Sequence, residues 1–220
     1  MMAVHISDHP LVKHKVSLLR EHNISVKSFR ELTNEVSALL MTDATRSMTI
    51  SNKPIKCWSG DIMAPMLNEK SPTLVPILRA GMGMLNGALS LLPNAKISLV
   101  GLKRNDDDIT RSENGAVSIG IETYYENLVN DIDQRRAFVL DPMLATGGSA
   151  IASITMLKNS GCKNISAIFL VAAPEGLEAL TTAHPDISVY IASLDEKINE
   201  HGYILPGLGD AGDKIFGTLA

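Results

Sequence analysis

Apolar positions in the first forty residues recur at helical spacing, and from residue 71 onward they contract into short runs alternating with helix-length stretches. Asp8 can cap a helix that has Pro10 in its first turn and Val12, Val16 and Leu19 on one face; Ser25 can cap a second with Phe29, Leu32, Val36 and Leu39 on one face. Residues up to about 60 therefore read as a helical N-terminal part. Beyond Ser71, the runs 73–78, 96–102, 136–141, 165–171 and 187–192 predict five strands, with helices at 82–92, 149–160 and 175–183. Runs that are continuously apolar suit strands buried on both faces. This alternation predicts one α/β domain over 1–220, with right-handed crossovers, a mostly parallel sheet and ligands beyond the carboxyl ends of its strands. The segment from Lys103 to Tyr125 breaks the rhythm, polar at first and then alternating around Val117, Ile119 and Ile121. A connection that long predicts a β-arm or lid, at about 103–125, over the site.

Composition narrows the function. With 220 residues, 45% hydrophobic and 20% charged, the chain can bury a sizeable core, and its formal charge of −4 speaks against nucleic acid as a main partner. Cys57 and Cys162 lie far apart without a CxxC, so neither a disulfide framework nor a zinc cluster is predicted. No run approaches the ~20 apolar residues that span a bilayer, and the first residues show no basic segment followed by a long apolar run. A cytoplasmic protein without a membrane partner is the expectation.

The strongest chemical signal is Val139-Leu140-Asp141-Pro142-Met143-Leu144-Ala145-Thr146-Gly147-Gly148-Ser149, an apolar strand that breaks into a small glycine-containing loop before a helix. Thr146 to Ser149 can point several backbone N–H groups at one phosphate, the helix adds the positive end of its dipole, and Asp141 suits hydroxyls or a metal. Arg79 stands between the strand 73–78 and Gly81, and Arg104 follows Lys103 at the end of another strand; paired guanidinium groups suit a diphosphate. Gly81-Met82-Gly83-Met84-Leu85-Asn86-Gly87 imitates a dinucleotide fingerprint, but its third glycine falls one residue late. The six histidines form no HxxxH or HExxH pair, and Ser149 lies in no GxSxG elbow, so it reads as a phosphate ligand or cap. The tail, Tyr203 to Thr218, alternates glycines with Asp210 and Asp213 among Ile204, Leu205, Leu208, Ile215 and Phe216. A tight loop whose backbone meets a small flat heterocycle fits that pattern better than a frayed end.

Assembled, these residues resemble the uracil phosphoribosyltransferases. The resemblance runs from HPLVKHK (9–15) and FRELTNEV (29–36) through VPILRAGMGM (75–84), LDPMLATGGSA (140–150), LVAAPEG (170–176) and HPDI (184–187) to GYILPGLGDAGDKIFGT (202–218). It implies a phosphoribosyltransferase-type, doubly wound fold and transfer of the phosphoribosyl group of 5-phosphoribosyl diphosphate (PRPP) to uracil. The products would be UMP and diphosphate. It also implies Mg²⁺ held mainly by PRPP, with no ligand set supplied directly by the protein. By the same resemblance Asp141, Pro142, Met143, Leu144, Ala145, Thr146, Gly147, Gly148 and Ser149 hold the ribose 5-phosphate side, Arg79 and Arg104 take the diphosphate, and Asp210 faces PRPP. Ile204, Gly209, Asp210 and Ala211 read uracil, the catalytic set being Arg79, Asp141 and Asp210. Related enzymes carry a non-proline cis peptide, which would fall here at Arg79–Ala80. A homodimer or homotetramer and a GTP effector are further family expectations. Departures occur at Thr42-Asp43, where Tyr-Glu is usual, at Ser47 for a usual Asp, at Lys103 for a usual Tyr, and in an arm roughly ten residues longer than is common. Pro142 also stands where many phosphoribosyltransferases place a second acidic residue.

Overall fold

A computed structural model describes residues 3–111 and 117–218, with backbone alone for 104–111 and 117–119. In chain order the elements are β1 (Ala3–Ile6), α1 (Pro10–Leu19), α2 (Val26–Ala44), β2 (Ile50–Cys57), β3 (Gly60–Leu67), β4 (Thr73–Leu78), α3 (Met82–Leu91), β5 (Lys96–Ile97), β6 (Leu99–Arg111) and β7 (Val117–Asn127). There follow β8 (Arg136–Leu140), β9 (Met143–Leu144), α4 (Gly148–Asn159), β10 (Asn164–Ala172), α5 (Pro174–Ala183), β11 (Ser188–Leu194), β12 (Lys197–Ile198), β13 (Ile204–Leu205) and α6 (Ala211–Phe216).

Local chemistry explains the first helices. Ser25 Oγ accepts from Ser28 N–H at 3.1 Å, capping α2, and α1 is capped by His9 rather than Asp8, its Nδ1 accepting from Leu11 N–H at 3.1 Å. The two helices bury Val12, Val16 and Leu19, and Phe29, Val36, Leu40 and Met41.

The main sheet runs β1-β11-β10-β8-β4-β6-β7. The five expected strands form its centre and pair in parallel, Val75 and Ala167 both flanking Val139. Alternation within a strand divides the core, as pleating requires. Phe138 and Leu140 pack with α1, α2, α3 and α6, while Ala137 and Val139 pack with α4 and α5. Helices thus cover both faces of a mostly parallel α/β sheet.

Two features differ from the sequence reading, while the arm takes the form predicted. The helical part ends at Ala44, and residues 50–67 form an antiparallel hairpin, β2 with β3, that pairs with no other strand among the described residues. Residues 3–6 add an edge strand, pairing Ala3 with Ser188 through Ile6 with Ile191. The predicted arm is an antiparallel ribbon, Leu99 opposite Asn127 to Arg111 opposite Val117, with register shifts at Gly101/Leu102 and Asn105/Ile109. No helix among the described residues is long and apolar enough to cross a membrane.

Candidate active site

A cleft of about 530 Å³ opens beyond the carboxyl ends of β4 and β8. Its floor is the loop after β8. Asp141 N–H donates to Ile168 O at 3.2 Å, the Pro142 carbonyl accepts from Leu170 and Val171 N–H, and β9 then rejoins the sheet beside β10. Pro142 is buried on the sheet side and does not border the cleft. Gly147 turns the chain at φ +87° into α4, whose first residues, Gly148 to Ala150, line the opening. Asp141, Met143 to Ser149 and Ala150 all line the space, and Asp141 Oδ1 lies 3.4 Å from Met143 N–H. Behind the loop stands the start of α5, where a Cβ on Gly176 would lie 2.2 Å from Ala145 O.

Arg79 forms the second wall. The cis peptide is Leu78–Arg79, one bond before the one expected. Gly81 follows because a Cβ there would sit 2.3 Å from Leu140 O, so only glycine lets the ends of β4 and β8 come together. The Arg79 guanidinium is largely solvent-facing, 3.8 Å from Asp213 Oδ1 and 5.8 Å from the centre of the Phe216 ring. Arg104 lies in β6 opposite Ile121; its side chain lies outside the described residues.

The tail closes the third side. β12 and β13 pair antiparallel around a turn in which the Asn199 side-chain oxygen accepts from His201 N–H at 3.0 Å and Tyr203 N–H at 2.9 Å. Leu205–Pro206 is cis, and Gly207 turns at φ +64° with no room for a Cβ, which would meet Ile204 O at 2.2 Å. Asp210 caps α6, its Oδ1 accepting from Asp213 N–H at 2.9 Å. Ile204 and Asp210 border the cleft together with Arg79 and the loop after β8; Gly209 is exposed and Ala211 buried, both outside the lining.

Several neighbours of this site were not legible as such. Leu102 and Ile121 reach the cleft from the base of the arm and His201 from the turn before β13, beside Gly202 and Tyr203, which open the predicted tail. Nothing in the spacing of Leu102, Ile121 and His201 separates them from ordinary strand and turn residues. Deeper still, Asp195 receives both terminal nitrogens of Arg20, at 2.7 and 2.6 Å, and the Gly207 N–H at 2.9 Å. Burial pushes the Asp195 carboxyl up, but hydrogen bonds from Arg20, Gly207 and Ser193 outweigh it and hold the group below the usual carboxylate range.

Of the departures from the family pattern, Thr42, Asp43, Ser47 and Lys103 are not among the residues lining the cleft, whereas Pro142 lies within its loop and Ile121 of the lengthened arm borders it. Ser47 Oγ accepts from Arg136 Nη1 at 2.8 Å, Asp43 pairs with Arg46 at 3.0 Å, Thr42 donates to Ala38 O and Lys103 is exposed. Among the described residues no three His, Cys, Asp or Glu side chains converge as a metal cluster. The carboxylates at the cleft, Asp141 and Asp210, are hard oxygen donors, the type that Mg²⁺ meets when substrate oxygens and water fill most of its shell.

A family model described as uracil phosphoribosyltransferase matches residues 6–218. Among solved structures, the AQ2163 protein from Aquifex aeolicus is 33% identical over 97% of each chain, with a TM-score of 0.86. An adenine phosphoribosyltransferase from Trypanosoma brucei, in complex with AMP, pyrophosphate and ribose-5-phosphate, is 11% identical over 90% of this chain and 89% of its own, with a TM-score of 0.52. A hypoxanthine-guanine phosphoribosyltransferase from Bacillus anthracis is likewise 11% identical, over 77% and 82%, with a TM-score of 0.52. These two share the fold.

Proposed function

The chain belongs to the uracil phosphoribosyltransferase family, and we propose that it transfers the 5-phosphoribosyl group of PRPP to uracil, releasing UMP and diphosphate. The observation that carries this reading is the meeting, in one cleft, of a phosphate loop, an arginine and the glycine-aspartate tail. Ligands of a related fold, AMP, pyrophosphate and ribose-5-phosphate, have the same three-part chemistry.

In this reading Thr146 to Ser149 and the start of α4 bind the 5-phosphate through backbone N–H groups and the helix dipole. Asp141 holds the ribose hydroxyls, its neighbour Pro142 being buried and outside the cleft lining. Arg79 and Arg104 bind the departing diphosphate. Mg²⁺ carried by PRPP, held by Asp141 and Asp210 directly or through water, would neutralise charge on the phosphates. The base enters against Ile204 and the backbone of 209–211, opposite the leaving group. Positioning and electrostatics then lower the barrier as positive charge grows at the anomeric carbon, with no covalent nucleophile. Uracil offers an N–H between two carbonyls to main-chain partners; cytosine would leave a buried donor unpaired.

We also infer a homo-oligomer. The β2–β3 hairpin exposes Ile50, Trp58, Ile62, Met63, Met66 and Leu67, with Trp58 97% accessible. A two-stranded hairpin is marginal alone in water, and a second copy of the chain is the cover this apolar ribbon fits. The deciding experiment for the reaction is nucleotide formation from PRPP and Mg²⁺ with uracil, cytosine, hypoxanthine and orotate in competition. Preferential UMP formation supports the reading, and preference for another base refutes it.

A further inference from the structure

We propose that Arg20 and Asp195 are positioning residues for base recognition, acting through Gly207. The inference rests on the reading of the tail as the base site.

Gly207 lies between the two segments assigned to the base, Ile204 and Gly209 to Ala211, and is not itself among the residues lining the cleft. Both of its peptide polar groups are held by one ion pair. Asp195 Oδ2 accepts the Gly207 N–H at 2.9 Å, and Arg20 Nη1 donates to the Gly207 carbonyl at 2.8 Å. The pair is bidentate, and Ser193 completes it by donating to Asp195 Oδ1 at 2.9 Å while accepting from Arg20 Nη2 at 3.1 Å. The clamp is itself fixed to the scaffold, since Asp195 N–H donates to Ala172 O at 2.8 Å at the end of β10 and Arg20 is the C-cap residue of α1. The next residue, Glu196, donates its N–H to Leu205 O at 3.0 Å, which closes the base of the loop.

The pair is not needed to dock α1, which already buries Val12, Val16 and Leu19. A buried ion pair is moreover weak evidence for stability, because desolvation offsets much of its attraction. What it supplies is direction. A planar guanidinium and a carboxylate together hold the N–H of one peptide unit and the C=O of the next, which fixes both units flanking Gly207 at a position where φ is +64° and a side chain has no room. A few tenths of an ångström at Gly207 is transmitted along the chain to the backbone at 209–211, where the base is read.

The test uses the full chain with Asp195→Asn, Arg20→Ala and Arg20→Lys, measuring KM for each substrate, kcat and melting temperature. Asparagine turns a donor toward Gly207 N–H or Arg20; lysine keeps the charge but cannot reach carboxylate and carbonyl in one plane. The expected result for Asp195→Asn and Arg20→Ala is a rise of about tenfold in KM for uracil, the loss of one to two hydrogen bonds' worth of alignment. KM for PRPP should stay within about twofold. Arg20→Lys should fall between, and added methylguanidinium should restore Arg20→Ala. If Asp195→Asn does not fold, Arg20→Lys and the chemical rescue decide. An unchanged KM for uracil, or parallel rises in both KM values that track a loss of melting temperature, overturns the proposal. Should the wild type use a different base, a selective shift in that base's KM sustains the clamp and overturns only the uracil reading; turnover of no base overturns both.

Discussion

Gly176→Ala tests the phosphate loop from behind, without replacing a residue that lines the cleft. The added Cβ would stand 2.2 Å from Ala145 O, 2.8 Å from Ala145 C and 2.9 Å from Leu144 O. A carbon and a carbonyl oxygen rest at about 3.4 Å, so one of the two backbones must yield by roughly 1 Å. α5 is anchored by buried Leu180, and Ala173 N–H just before it donates to Leu144 O at 2.9 Å, so relief of the clash moves the loop together with the first turn of α5 and displaces the floor of the cleft. Overpacking of this kind costs about 1–3 kcal/mol of stability. The larger effect is on function, because a misplacement of about 1 Å can cost on the order of a hundredfold. KM for PRPP, measured with uracil saturating, should rise by one to two orders of magnitude, while KM for uracil at saturating PRPP changes little. A variant that melts within about 2 °C of wild type with an unchanged KM for PRPP would refute the account of the loop as backed by α5.

Other outcomes follow from the same geometry. Arg79→Ala should lower kcat/KM by about two to three orders of magnitude in steady-state assays, with Arg79→Lys intermediate, as expected for a donor aimed at developing charge. Asp210→Asn keeps an effective helix cap, so melting should shift by no more than about 2 °C, while turnover should fall at least about a hundredfold; equal activity would reduce Asp210 to a cap. Because the folded Asp195 carboxyl titrates below its unfolded value, its contribution is complete above the ordinary carboxylate range and is lost as pH falls through the folded value. Urea unfolding from pH 7 downward should show that acid loss, flattened in Asp195→Asn. Trp58 is the chain's one tryptophan, so its emission should shift to the blue with rising protein concentration if a second copy covers the hairpin, and stay solvent-like if none does.

What the sequence revealed depended on how local the cause was. The cap Ser25 and the recurrence of Phe29 and Val36 are written within one helix, although its buried face runs on through Leu40 and Met41 and leaves Leu32 and Leu39 only partly buried, and the runs of β4, β8 and β10 announce burial on both faces. The hairpin was hidden because Pro54 and Pro65 interrupt its strands and its apolar positions face solvent, leaving no alternation against a core. β1 is four residues with mostly exposed side chains, held by pairing with a strand at the far end of the chain. In the site, Arg79, Asp141 and the glycine-aspartate tail were legible because each breaks an apolar pattern at a strand end or a turn. Arg20 and Asp195 were not, since 175 positions separate two residues that each look like ordinary surface charge. His184 followed the same rule: it is buried against α4, bonded to Ile151 O, Thr155 and Lys158, although no local pattern marks it.

The pairing of β1 with β11 sets a timetable for synthesis. The segment Ala3–Ile6 finds its place only beside Ser188–Ile191. At translation rates of about 5–20 residues per second, it waits roughly 10–40 s on the ribosome for its neighbour to be made. The phosphate loop can assemble earlier, once β10 and the start of α5 have emerged. The proposed base site comes last, when Gly207 returns to an arginine that left the tunnel at the outset.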